Sequence, residues 1–375
     1  MNAVASWMEQ GKAFEFELPD GTPVIRLGLI VTLYFKEGYT AAKKRAVVNC
    51  FERFYDEFAS VLKSQVYERS KKLTRTTFDA SRDKLLSSTP NSQYEWCVSS
   101  ATGVTDVGET SLFAMNTFEL HGDKIRSVIK LTLPWSLLAE ANGAARFLQW
   151  LGFLCESIEP EHGYAGPSIL QPYDRPGYLE IETTLAQQFL GVEPDNEAGG
   201  LTRQLLGCVK GMNWCTVLST ALVEQLGGAQ QLQASLVDAP EVNLLPFNAG
   251  LILQAGDLPA LIPAGSEIPQ AYTVVNALIR PIRCADIDAI LCTQGTPFFD
   301  RQVTRRWQTR LDLDRPEPAP LTRVGGHQPC PQTGDWQRWE CTDIRHHFVE
   351  GELMPVLDGD TPSQTLWYWS AECAR

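Results

Sequence analysis

Several things are missing from this 375-residue sequence, and each absence excludes something. No apolar run approaches the ~18–20 residues of a membrane-spanning helix. The opening stretch MNAVASWMEQGKAFEF lacks the basic and apolar regions of a secretory signal, so a cytoplasmic location without membrane contact is expected. There is no GxSxG elbow, P-loop, glycine-rich dinucleotide turn or HExxH helix. Ten cysteines without a signal read as reduced thiols, Cys208 and Cys215 among them as buried free cysteines. With five histidines in all, His162 is the best placed for acid–base work, beside Glu161 and amid glycines, although a histidine in a turn has an ordinary structural reading too. No catalytic centre and no cofactor is implied.

Positive charge is scarce in one region. The net charge is −13, which gives nucleic-acid binding little support. Residues 1–139 carry 16 acids against 17 bases, residues 140–300 carry 18 against 6, and residues 301–375 carry 11 against 9. From Glu140 to Gly200 there are ten acids and no lysine. Three readings stand open: a solvated face that aids solubility, a surface for a basic partner, or a paired-carboxylate glycosidase site, whose ~5–10 Å separation no sequence can set. On the partner reading, the acids expected to project into solvent are Glu156, Glu159 and Glu161, Glu180 and Glu182, and Glu193, Asp195 and Glu197.

What is present suits a globular chain, with 44% apolar and 21% charged residues. VIRLGLIVTLYF (24–35) reads as a buried strand, followed by a Thr40-capped helix near 40–63 with Val47, Phe51, Phe54 and Phe58 inward and Lys43, Lys44, Arg45 and Glu52 outward. Residues 65–92 read as an exposed polar excursion. Strands are predicted near 94–99, 112–119 and 125–133, the last two joined by a turn at His121–Asp123. A second helix over 142–158 and a small-residue turn, HGYAG (162–166), make the pattern recur as two similar strand–helix halves. Residues 211–228 read as a helix capped by Asn213 and stopped at Gly227–Gly228, with a strand over 250–255 and a helix over 271–279. The expected fold is α+β, with mixed or antiparallel sheets under packed amphipathic helices, in a body spanning 1–315. Pro316 to Pro320 reads as a linker to an appendage over 316–375. That appendage holds His327, Cys330, Cys341 and His346, which have zinc-ligand chemistry but no tight Cys-x-x-Cys pair. The expectation is a tail folded onto the body through its tryptophans, with no essential zinc.

Three stretches, GMNWCTVLSTALVEQLGG (211–228), GLILQAGDLPALI (250–262) and AYTVVNALIRPIR (271–283), together resemble the bacterial type VI secretion immunity family (TsiV-like) associated with VRR-NUC nuclease toxins. The resemblance covers about residues 20–285. The segments GHQPCPQTGDWQRW (326–339) and HHFVEGELMPVL (346–357) are similar to C-terminal segments of polymorphic toxin and immunity proteins. The resemblance implies a non-enzymatic protein whose partner is a cognate effector, a metal-dependent DNase acting in the cytoplasm. It carries over no catalytic or toxin-binding residue. Charge makes the pairing reasonable, because a nuclease presents a positive surface to phosphates and an acidic protein can occupy it. An enzyme with an unrecognised site and an adaptor of a secretion complex are the rival expectations.

Overall fold

The β-branched run at the start builds the centre of the molecule. In the computed structural model, Pro23–Phe35 forms a long strand, β2, after a two-residue strand β1 (Phe16–Glu17). The structure describes residues 8–174, 178–195, 199–285, 287, 290–293, 296–299, 301–313, 323–331, 333–338, 345–356 and 365–369. Around β2 the chain adds β3 (Ser64–Tyr67), β4 (Arg69–Lys72), β5 (Glu95–Ser99), β6 (Ser111–Met115), β7 (Ser127–Pro134), β8 (His162–Leu170), β9 (Cys215–Ser219), β10 (Val242–Phe247) and β11 (Gly250–Ala255). These make one 11-stranded sheet in the order β10-β11-β9-β8-β2-β7-β6-β5-β3-β4, with β1 beside β2 and the paired strands antiparallel. Strands from the first half of the chain lie on one side of β2, and those from the acidic second half on the other. The fold is α+β.

One face of this sheet is apolar and covered by helices. Helix α1 (Ala41–Phe58) begins where Thr40 accepts a hydrogen bond from the Lys43 amide, and it buries Val47, Cys50, Phe51 and Phe54. Val61 and Leu62 lie beyond its end. Lys44 turns inward, contrary to the outward placement expected, and donates to the carbonyls of Ser88 and Thr89 at 2.8 and 2.9 Å. Phe51 stacks on Trp96 of β5 with ring centroids 4.0 Å apart, and Phe54 meets Trp150 of helix α3 (Gly143–Ile158) edge-on. The strand–helix–strand pattern does recur, as β2–α1–β3 and β7–α3–β8, and α1 packs on α3.

Three segments differ from expectation. Residues 65–92 are not an excursion: they supply the short strands β3 and β4 and helix α2 (Arg75–Ser87), which opens with a capping box between Thr74 and Thr77. HGYAG is no turn but the start of β8, buried along its whole length between β2 and β9. Its glycines serve close packing, since a Cβ on Gly163 would stand 2.4 Å from the Thr32 carbonyl oxygen. Helix α4 (Leu179–Gln188) comes first; the predicted helix over 211–228 is then strand β9 followed by the short helix α5 (Thr220–Gln225), with α6 (Ala229–Ser235) beyond it. Trp214, Val217 and Leu218 fit a helical stripe, but a strand buried on both faces also reads as an apolar run. Asn213 caps no helix; its Oδ1 accepts from the Trp214 amide. Gly227 and Gly228 do take positive φ after α5. Helix α7 (Gln270–Ile279) and strand β11 match their predicted spans.

Both sheet edges discourage further pairing. On β4 the edge is four residues of Arg-Ser-Lys-Lys. On β10, Gly256 donates to the Glu241 carbonyl, so odd-numbered residues address β11 and Pro246 turns its nitrogen, which carries no hydrogen, outward.

The chain divides into two compact units, residues 1–293 with 297–313, and 294–296 with 314–375. The first ends with helix α8 (Arg301–Gln308). In the second, strands Arg323–Gly325, Gly334–Arg338, Arg345–Phe348 and Leu366–Trp369 form a four-stranded sheet. Cys330, Trp336, Phe348, Met354 and Trp367 pack together as its own small core. The proline run 316–320 lies outside the described residues.

Gly163→Ala should lower stability by about 1–3 kcal/mol in urea titration, because the new methyl meets rigid backbone. Gly152→Ala, in α3 with open space around it, should raise stability by about 0.5–1 kcal/mol.

Candidate functional site

The acids expected at a partner surface divide into two groups. Glu156, Glu159 and Glu180 are exposed. Glu156 sits on α3 and accepts from the Asn248 amide at the tip of the β10–β11 hairpin, at 3.2 Å. Glu159 ends α3 with φ of 49°. Lys43 bridges it, 2.8 Å from its carboxylate and 2.7 Å from the Ile158 carbonyl, placing a cation at the helix's negative end. Glu180 opens α4.

Glu161, Glu182, Glu193 and Asp195 correct the expectation that these carboxylates project into solvent. Glu161 is largely buried and held by Arg126 through two nitrogens, at 2.5 and 3.0 Å, with Lys36 at 3.1 Å. Burial raises its pKa, but the Arg126 pair outweighs that and the net shift is downward. Glu182 is fully buried, accepting from Gln171 at 2.7 Å and from the Asp195 amide at 3.1 Å. Glu197 lies outside the described residues.

Glu193 and Asp195 belong to a buried charge cluster on the sheet face away from α1 and α3. Register sets its base: Thr32 on β2 pairs with Lys130 on β7 and with Tyr164 on β8, so all three side chains share that face. The crossover from α4 to β9 lowers Asp195 onto them. Its carboxylate accepts from Thr32 Oγ1 at 2.6 Å and from the Tyr164 hydroxyl, and lies 3.0 Å from Lys130 Nζ. Burial would raise this carboxyl's pKa, but Lys130 and Lys210 hold it below the usual range. Glu193 meets Lys210 at 2.8 Å and Arg310 at 4.0 Å, and there desolvation prevails and its pKa is raised. Arg310, pushed down to about 10 by burial, remains a cation at neutral pH and lies 3.6 Å over the Trp307 ring. Two carboxylates and three cations thus clamp the crossover and the end of α8 to the sheet. Glu193, Asp195, Lys210 and Arg310 are buried and Lys130 is 13% exposed; joined by ion pairs, they are equipped to hold structure.

Beside the cluster runs a groove of about 330 Å³ across β3, β5, β6 and β7, lined by Ser64, Ser99, Phe113, Met115 and Tyr173 and by Lys130 and Asp195 of the cluster. Its walls mix hydroxyls with apolar side chains. The Tyr173 hydroxyl donates to Glu95 across one rim.

The family model described as "Type VI immunity for VRR-NUC", TsiV, matches residues 46–311, most of the body just described. The chain belongs to the TsiV family. A Pseudomonas aeruginosa type VI secretion (T6SS) protein, PA0821, has the same fold, with a TM-score of 0.70 at 21% identity over 83% of this chain and 91% of that one. No curated protein matches the sequence significantly. TsiV proteins are type VI immunity proteins for VRR-NUC effectors, and a cognate effector is therefore the partner of this one. Among the described residues no helix is long and apolar enough to cross a membrane.

In this TsiV chain His162 is a core residue. Fully buried on β8, it stacks on Tyr34 and places Nε2 3.0 Å from the Leu205 carbonyl. A carbonyl only accepts, so Nε2 carries a proton. Burial depresses its pKa to about 4. Of the zinc-ligand candidates, His327 is exposed, Cys330 is buried in the small core, and the His346 ring packs edge-on against Trp367 at 5.3 Å. Cys341 lies outside the described residues. Among the described residues no three His, Cys, Asp or Glu side chains gather as a metal site. Sequence reasoning missed Thr32, Lys130, Lys210 and Arg310. The signal for the first two was a polar residue inside each of two apolar strands, VIRLGLIVTLYF and SVIKLTLP.

Lys130→Met should cost about 3–5 kcal/mol, since it strands the buried Asp195 carboxylate, and urea unfolding measures it. His162 gives a pH dependence. Its folded pKa of about 4 lies below the ordinary 6.5, so its contribution is complete above pH 6.5 and is lost as pH falls toward 4, by roughly 3 kcal/mol. A His162→Phe variant should lose less stability than the parent between pH 7 and pH 4.

Proposed function

We propose that this TsiV protein neutralises a VRR-NUC-type DNase in the cytoplasm by seating its acidic flank over the nuclease's basic substrate surface, with no chemistry of its own. The carrying observation is spatial. Because β8, β9, β10 and β11 all lie on one side of β2, the charge imbalance of residues 140–300 is also an imbalance across the sheet. Glu193 and Asp195 are paired within the cluster and Glu161 with Arg126, while Glu156, Glu180, Glu224, Asp238, Asp257 and Glu267 remain exposed on elements of that half, against the exposed Arg203 and Arg280. A surface of this sign attracts a protein built to bind phosphates and repels the nucleic acid itself. The family supplies the effector class, and the charge supplies a reason for its substrate face to be the one covered.

The buried acids suit this role poorly, since substituting them would disturb the fold before the interface. Exposed acids should act mainly on the encounter, with salt screening them over ~8–10 Å. The test is stopped-flow association with the cognate effector at several salt concentrations. A Glu156→Gln, Glu180→Gln, Glu224→Gln variant should associate about 10-fold more slowly at low salt, with a flatter salt dependence and little change in dissociation. An association rate equal to the parent's at every salt concentration would show that this flank is not the contact surface.

A further inference from the structure

Five of the described cysteines, Cys50, Cys97, Cys155, Cys215 and Cys330, are buried. Cys208 and Cys284 are only half-buried, against the expectation of a buried Cys208, and they are neighbours. Their segments are far apart in sequence but stitched together by backbone. The Val209 amide donates to the Ile282 carbonyl at 2.9 Å, and the Cys284 amide donates to the Val209 carbonyl at 2.8 Å. Both thiols then reach one acceptor: Cys208 Sγ lies 3.8 Å and Cys284 Sγ 3.6 Å from the Gln204 carbonyl oxygen. The two thiols also hydrogen-bond each other, and that contact, followed by burial, pushes the Cys208 pKa far above the usual thiol range.

We propose that Cys208 and Cys284 form a thiol–disulfide site, which closes to an intramolecular disulfide on meeting a small-molecule or protein disulfide donor. One sulfur, as its thiolate, attacks the donor disulfide, forming a mixed disulfide and releasing one donor thiol. The second sulfur, on losing its proton, displaces the remaining donor sulfur. One S–S bond forms here and one breaks in the donor; two electrons pass to the donor, which leaves as two thiols. Because that contact and burial keep Cys208 protonated, closure is slow in a reducing compartment and the dithiol persists there. An oxidising compartment would fix the closed form.

The location gives the bond a consequence. Cys208 stands two residues before Lys210, which pairs with Glu193, and Cys284 directly follows Arg283, which holds Asp312 at 2.8 Å. A disulfide would tie together the two segments that carry these ion pairs, so the α4–β9 crossover could not lift from the sheet without α8's approach moving with it.

The experiment uses the full chain, purified reduced and incubated folded with excess oxidised glutathione, then digested without reductant for peptide mass mapping. A Cys208–Cys284 cross-linked peptide should be the principal product. It should vanish in Cys208→Ser and in Cys284→Ser, and the oxidised protein should melt about 5 °C higher, reversibly on reduction. Glutathione adducts on either residue without the cross-link, or cross-links elsewhere while this pair stays reduced, would overturn the proposal. The mapping of the unsubstituted chain decides the matter even if a serine variant fails to fold.

Discussion

The Asp195 carboxylate, set down on Thr32, Tyr164 and Lys130, is the contact on which the rest of the body depends. A wide antiparallel sheet has two faces to satisfy. Here one is covered by α1, α2 and α3 through aromatic packing, and the centre of the other by a chain segment with little helix. That segment packs Val192, Val209, Met212 and Trp214 into the core, and it is held by charge as well. Burying two carboxylates is costly unless each has cations and hydrogen-bond donors in good geometry. Lys130, Lys210 and Arg310 supply the cations, each from a different part of the chain, so the cluster forms only when β7, the crossover and the end of α8 are all in place. Such an arrangement makes the fold specific rather than merely stable.

This use of charge decides which acids meet solvent, not how large the net charge is. Glu161, Glu182, Glu193 and Asp195 are engaged internally, but so are Arg126, Lys130, Lys210 and Arg310, and the net of −13 stays with the remaining residues. On the mechanism proposed above, the field an approaching effector would meet comes from the remaining exposed acids of the second half, on α3, α4 and α5 and in the loops beyond. The spatial separation of the two halves across β2 matters more than the total.

Local pattern made much of the body legible: the β2 run, the stripes of α1 and α3, β11, and α7 halted before Pro281 all follow from periodicity and punctuation. What failed is instructive. HGYAG resembles a turn because small residues usually mean backbone freedom, but Gly163 is small because a neighbouring strand leaves no room for a Cβ. Residues 215–219 look helical because a strand buried on both sides loses its alternation. The acids were placed in solvent because nothing local distinguishes Asp195 from Glu156; the partner of Asp195 is Thr32, 163 residues away. Family membership was legible from the glycine- and tryptophan-marked stretches, whereas the buried cluster at the centre of the same body was not.

The two edges of the sheet have a further implication for how an effector can be recognised. Strand addition would require a row of free amides and carbonyls. At β10 the outward row is interrupted at Pro246, and the outward amide of Val242 is already spent on Ala239. At β4 the row is short and flanked by Arg69, Lys71 and Lys72, which would repel the basic nuclease surface proposed above. Backbone pairing reads almost any extended segment, so closing it off removes a route to indiscriminate capture. Discrimination between one effector and its relatives is left to side chains, where a single substitution on either protein can change the match.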